Sequence, residues 1–164
     1  MAVFLKFSEH DFDINVITSG TTETINIRST MRINEGDLSK EFLEQASWFA
    51  WYSALLATQE DKLATKEREV HRHKSDLAMK LRQGKLTILD SREKEVKITE
   101  GAIDDYVDQD KKYRVLQDEV QELETTCKKL KLLVSASIQR KDMLTQLGYL
   151  QLQEKKQINA AMRE

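Results

Sequence analysis

No proline interrupts the 164 residues of this chain. Proline removes a backbone donor and clashes with the preceding turn, so it normally ends helices and shapes loops. Its absence permits very long, unbroken helices. The rest of the composition agrees: 33% of residues are charged, only 7% are aromatic, and one cysteine is present. Such a chain suits an elongated helical body better than a compact globule.

A small part of the chain reads otherwise. Residues 1–36 are expected to form an N-terminal β segment, because apolar and polar residues alternate with the period of a half-buried strand. Ile25, Ile27, Met31 and Ile33 take one side of a strand from Thr24 to Ile33, and Phe12, Ile14 and Val16 alternate in the same way. Thr18, Ser19, Gly20 and Thr21 supply the turn of a hairpin, and Val3, Leu5 and Phe7 offer a third strand. So small a sheet must pack on helices or on another chain.

From residue 37 to the end the pattern is helical. Asp37 is placed to cap a helix running from about Leu38 to Gln83, along which Phe42, Phe49, Leu56, Leu63, Val70 and Leu77 recur every seven residues. The complementary row, Ala46, Ser53, Glu60, Glu67, Lys74 and Leu81, is thin and polar in its middle. Residues 84–98 form the connection. Thr99 then caps a short helix containing Ile103, Tyr106 and Val107, followed or continued by a second long helix. There Tyr113, Leu116, Val120, Leu123, Cys127, Leu130 and Val134 alternate spacings of three and four, Ser137 and Lys141 interrupt, and Leu144 resumes. Cys127 lies within this row, which makes it a small buried hydrophobe.

Charge indicates how these helices pair. Residues 62–85 carry eight Lys/Arg and three Asp/Glu, whereas residues 100–125 carry three and nine. Residues 37–61 hold one basic and five acidic residues, and residues 126–150 hold five and one. An antiparallel fold at the connection sets each block beside its opposite. The expected fold is therefore mainly α, a long antiparallel helical hairpin resembling a coiled coil, with the β segment at its N-terminal end. The net charge of −2 exerts no global pull on nucleic acid or anionic lipid.

No catalytic signature is present. His71 and His73 are two residues apart, about 200° around a helix of ~3.6 residues per turn, and cannot share a metal ion. Asp104, Asp105, Asp108 and Asp110 read as solvated residues and dipole partners near helix starts. No cofactor, metal site or enzymatic activity is expected. The lone cysteine fits a reducing cytoplasm, and no apolar run has the length of a membrane span or the form of a signal peptide.

Two constellations remain. Lys66, Arg68, Arg72, Lys74, Lys80, Arg82 and Lys85 can line a phosphate backbone along a helix face, and assembly would array such strips. Opposing this, the acidic stretch across the hairpin can absorb the same charge. The second is Trp48, Phe49, Trp51 and Tyr52, whose spacing suits a core or a subunit interface better than base stacking.

The words Asp37-Leu-Ser-Lys-Glu-Phe-Leu-Glu-Gln-Ala-Ser-Trp-Phe-Ala-Trp-Tyr, Lys97-Ile-Thr-Glu-Gly-Ala-Ile-Asp-Asp-Tyr-Val, Asp110-Lys-Lys-Tyr and Arg140-Lys-Asp-Met-Leu-Thr-Gln-Leu-Gly resemble the UvsY-type phage recombination mediators. The likeness covers about residues 37–150. It implies a non-enzymatic homo-oligomer in the cytoplasm of an infected bacterial host that binds single-stranded DNA. It also implies partners, a RecA-like recombinase that the protein helps to load and the single-strand binding protein that the recombinase replaces. Lys80-Leu-Arg82 is the nearest match to the basic element of that family, at a different spacing from the tryptophans, and the β segment is a departure. The rival reading is a structural coiled-coil assembly or adaptor protein of a phage that makes no DNA contact.

Overall fold

The computed structural model describes residues 13–18, 21–88 and 98–162. The order is β1 (Asp13–Thr18), β2 (Thr21–Asn26), α1 (Ile27–Thr30), a 3₁₀ turn (Glu35–Asp37), α2 (Leu38–Arg82), α3 (Glu100–Gln109) and α4 (Lys111–Ala161). The fold is mainly α, a long antiparallel helical hairpin with a two-stranded N-terminal sheet. Val3, Leu5 and Phe7, expected as a third strand, lie outside the described residues, as do Phe12, Ser19, Gly20 and residues 89–97 of the connection.

Residues group into two compact units, one formed by residues up to 57 together with those from 126, the other by residues 58–125. In the first, β1 and β2 pair antiparallel with Ile14 opposite Ile25. Ile14, Val16 and Ile25 bury against Tyr52 and Leu55 of α2 and Leu130 and Leu133 of α4. The hairpin thus gains from the helices the apolar partner that two strands alone lack. Lys129 of α4 also donates from Nζ to the Asp13 carbonyl at 3.1 Å.

The expected strand through Ile33 stops at Asn26. Asn26 accepts from the Ser29 amide at 3.0 Å, and its carbonyl accepts from the Ser29 and Thr30 hydroxyls. Local side chains that bond the backbone in this way favour a helical turn over a ladder. Ile27 and Met31, four residues apart, share a face in a helix as well as in a strand, so both still pack on the core. The alternation alone did not distinguish the two conformations.

Helix ends follow the residues read as caps. Asp37 accepts from the Lys40 amide at 3.2 Å, and Thr99 from the Ala102 amide at 3.2 Å. At the other end of α2, Gly84 takes φ +66°, the Gly84 amide donates to the Leu81 carbonyl and the Lys85 amide to that of Lys80. This pairing terminates a helix with a left-handed residue that glycine adopts without strain.

In the second unit Leu77, Ala78 and Leu81 of α2 bury against Ile103 and Val107 of α3, with Tyr106 and Tyr113 packed around them. The expected α4 seam is also present: Leu116, Cys127, Leu130 and Leu144 are buried. Ser137 is wholly buried and continues that seam, and Arg140, not Lys141, takes the next turn.

On α2 the deepest row differs from the expected one. Leu38, Gln45, Tyr52 and Gln59, seven residues apart, are buried, whereas Phe42 and Phe49 are exposed. The buried row is mostly polar and could not be found by hydrophobic periodicity.

Candidate nucleic-acid interface

The basic stretch lies on α2 in the second unit, where the helix continues for several turns because nothing between Gln59 and Arg82 breaks it. Its cations divide into two sets. Lys66 Nζ lies 2.9 Å from both Glu69 and Glu119, Lys74 Nζ 3.0 Å from Asp104, and Arg82 2.7 Å from Glu100. These pairs tie α2 to α4 and α3. The Glu69 and Glu119 carboxylates raise the Lys66 pKa, Asp104 raises that of Lys74 and Glu100 that of Arg82. All three therefore stay charged at neutral pH. Their charge is matched at once by a carboxylate, as the complementary blocks of sequence require.

The second set has no such match. Among the described residues no carboxylate lies within salt-bridge distance of Arg68, Arg72, Lys80 or Lys85. Arg68 bends back to its own helix, donating to the Ala64 carbonyl at 3.0 Å and to the Thr65 hydroxyl at 3.2 Å. Arg72 borders an open groove with Glu69, His73, Asp76, Lys112 and Leu116. The charge of Arg72 helps to hold the Glu69 carboxyl below its usual range, after the larger effect of Lys66. Lys80 and Lys85 project from the last turn of α2 and the residues after it, and both are exposed.

His73 has a different role from the cations beside it. Its Nε2 lies 2.7 Å from Asp110 Oδ1, which also accepts from the Tyr113 amide at 2.8 Å. Asp110 therefore caps α4 and binds α2 with one carboxylate. His73 and these two bonds hold the Asp110 pKa below the usual carboxylate range. His71 is exposed on another face. Among the described residues no cluster of His, Cys, Asp and Glu can hold a metal ion.

The aromatic constellation lies in the first unit. Tyr52 is wholly buried in its own chain, stacked on Trp48 with ring centroids 5.9 Å apart. Trp51 meets Trp48 edge to face at 6.1 Å. Tyr52 is thus removed from any surface, while Trp48, Phe49 and Trp51 remain exposed. Burial raises the pKa of the Tyr52 hydroxyl.

A polar cluster beside Tyr52 carried no signal in the hydrophobic pattern. The buried Arg140 guanidinium bonds Glu41, the Gln45 amide oxygen and, at 3.2 Å, the Arg32 carbonyl. Gln45 donates to the Ser137 carbonyl at 2.7 Å. Glu41 and Gln45 belong to the first of the family-like words and Arg140 to the last, so the two words bind each other. Within the last word, a Cβ at Gly148 would stand 3.3 Å from the Phe42 ring. In the second word Thr99 caps α3, Ile103 and Val107 fill the core, and Glu100 and Asp104 hold Arg82 and Lys74. The words that carry the resemblance therefore have structural work in this chain.

No family model matches the chain, and no curated protein or solved structure does either. No helix among the described residues is long and apolar enough to cross a membrane.

Proposed function

We propose that this chain is a non-enzymatic recombination mediator that holds single-stranded DNA through its phosphates, as a homo-oligomer, and helps a RecA-like recombinase to replace the single-strand binding protein. The recombinase step and the phage host come from the family resemblance. The observation that carries the DNA contact is the division of the basic stretch. Arg68, Arg72, Lys80 and Lys85 have no carboxylate partner among the described residues, while Lys66, Lys74 and Arg82 fasten the helix that displays them. Cations spread along a helix, with no aromatic platform among them, suit phosphates more than bases. Binding of this kind has little sequence preference and weakens steeply with salt.

Fluorescence anisotropy of a labelled single-stranded oligonucleotide tests this reading. Log affinity is expected to fall linearly with log salt, by about 0.7 for each phosphate neutralised. Arg72→Ala with Lys80→Ala lowers both the affinity and that slope. Absence of binding at low salt sinks the proposal. A second reading, a structural assembly or adaptor protein with no DNA contact, is favoured by the matched charges of Lys66, Lys74 and Arg82, and the same titration separates the two.

A further inference from the structure

From Glu44 to Glu60 no charged residue intervenes on α2. A helix that is uncharged all round is ordinarily covered all round. In the first unit α4 and the N-terminal hairpin cover the faces bearing Gln45, Tyr52 and Leu55. The adjoining face stays open. Phe42, Ala46, Phe49, Ser53 and Leu56 follow one another at spacings of four, three, four and three, which is the repeat of a helix-packing seam. Phe42 is 42% exposed and Phe49 39%, and Ala46 is exposed between them. Ala46 and Ser53 are small enough to let another helix approach closely.

The open face continues onto α4. Gly148 abuts the Phe42 ring, and Ile138, Thr145 and Leu152, seven residues apart on the adjacent row, are all exposed. These rows form one apolar surface across both helices, on the order of 600 Å² per copy against the ~800 Å² per partner of a standard interface.

We infer that this surface, centred on Phe42, Ala46 and Phe49, is where a second copy of the chain packs, helix against helix. The inference deepens the homo-oligomeric part of the reading above and rests on it. Charge selects the occupant. The α2 portion of this unit belongs to the acidic block 37–61 and the α4 portion to the basic block 126–150. A two-fold axis lays the acidic helix of one copy along the basic helix of the other, so the surface is complementary to itself. Trp48, Trp51 and Tyr52 lie off this seam, with Tyr52 in the core.

Light scattering of the full chain, across a concentration series, tests the assignment with three variants. The unaltered protein is expected at a multiple of the single-chain mass. Ala46→Glu and Phe49→Glu should each bring it to the single-chain mass with unchanged helical circular dichroism. Ser47→Glu, on the far side of α2, should leave the assembly intact. Ala46 is exposed and Glu is a good helix former, so that variant remains informative even where Phe49→Glu fails to fold. A monomeric unaltered protein, which would point to a different partner for this face, overturns the inference, and so does an Ala46→Glu variant that stays assembled. A monomer that still binds single-stranded DNA sinks the interface and spares the DNA reading. An Ala46-dependent assembly that binds no DNA does the reverse.

Discussion

Arg140 shows how much one side chain decides in this fold. Its guanidinium is buried and joins Glu41, Gln45 and the Arg32 carbonyl, so it locks α4 to α2 and to the segment before α2. Removing one partner of a buried ion pair strands the other charge in a low-dielectric setting. Glu41→Ala or Arg140→Ala should therefore destabilise the protein by about 3–5 kcal/mol in urea unfolding. The joint replacement Glu41→Leu with Arg140→Met recovers most of that loss, because neither charge is left unpaired. Asp110 is a second such residue. Its folded pKa is depressed by His73 and by the Tyr113 amide, so its contribution is complete above the unfolded value and vanishes as pH falls through the folded one. Asp110→Ala should lose about 0.5–2 kcal/mol of cap energy at neutral pH. Acid unfolding curves would also show the variant to be less sensitive to pH below about 4 than the parent.

At the level of elements, α2 carries two seams. The heptad row Phe42, Phe49 and Leu56 stands out in the sequence because it is apolar, while the row buried within the chain, Leu38, Gln45, Tyr52 and Gln59, is mostly polar. A pattern of hydrophobicity finds the first row only. The second is buried because Gln45 finds Ser137 and Arg140, partners more than ninety residues away. Caps were legible, since Asp37, Thr99 and Gly84 act through backbone groups a few residues distant. The continuation of β2 was not, since Ile27 and Met31 satisfy both periods and Asn26 decides between them. Gly148 gives a prediction at this scale. Alanine there gains up to about 1 kcal/mol of helix propensity, and its Cβ meets only the half-exposed Phe42 ring, which has room to move. Thermal unfolding should find Gly148→Ala more stable, whereas Gly148→Leu, too large for the space, should be less stable.

For the whole molecule, charge pairing sets chain partners more than it sets stability. Lys66, Lys74 and Arg82 with their carboxylates are largely exposed, and exposed pairs contribute at most about 1 kcal/mol each. Reversing one pair, as in Lys74→Asp with Asp104→Lys, should leave the melting temperature within about 2 °C, whereas Lys74→Asp alone should lower it further. Assembly through the open α2 face would make the melting temperature rise with protein concentration, and Ala46→Glu should abolish that dependence. Of the candidate site, the sequence identified the seven basic residues and their acidic opposites. Which cation meets which carboxylate follows from the register of the helices.

The sequence by itself determined the helical hairpin, its caps and its antiparallel sense, because these rest on proline content, local backbone bonds and blocks of charge. Only the tertiary structure decided which face of α2 is buried, that Tyr52 belongs to the core, and which four cations of the basic stretch are left without a carboxylate. Those outcomes depend on contacts between residues far apart in the chain, where a polar group becomes a core residue once its partner is in place.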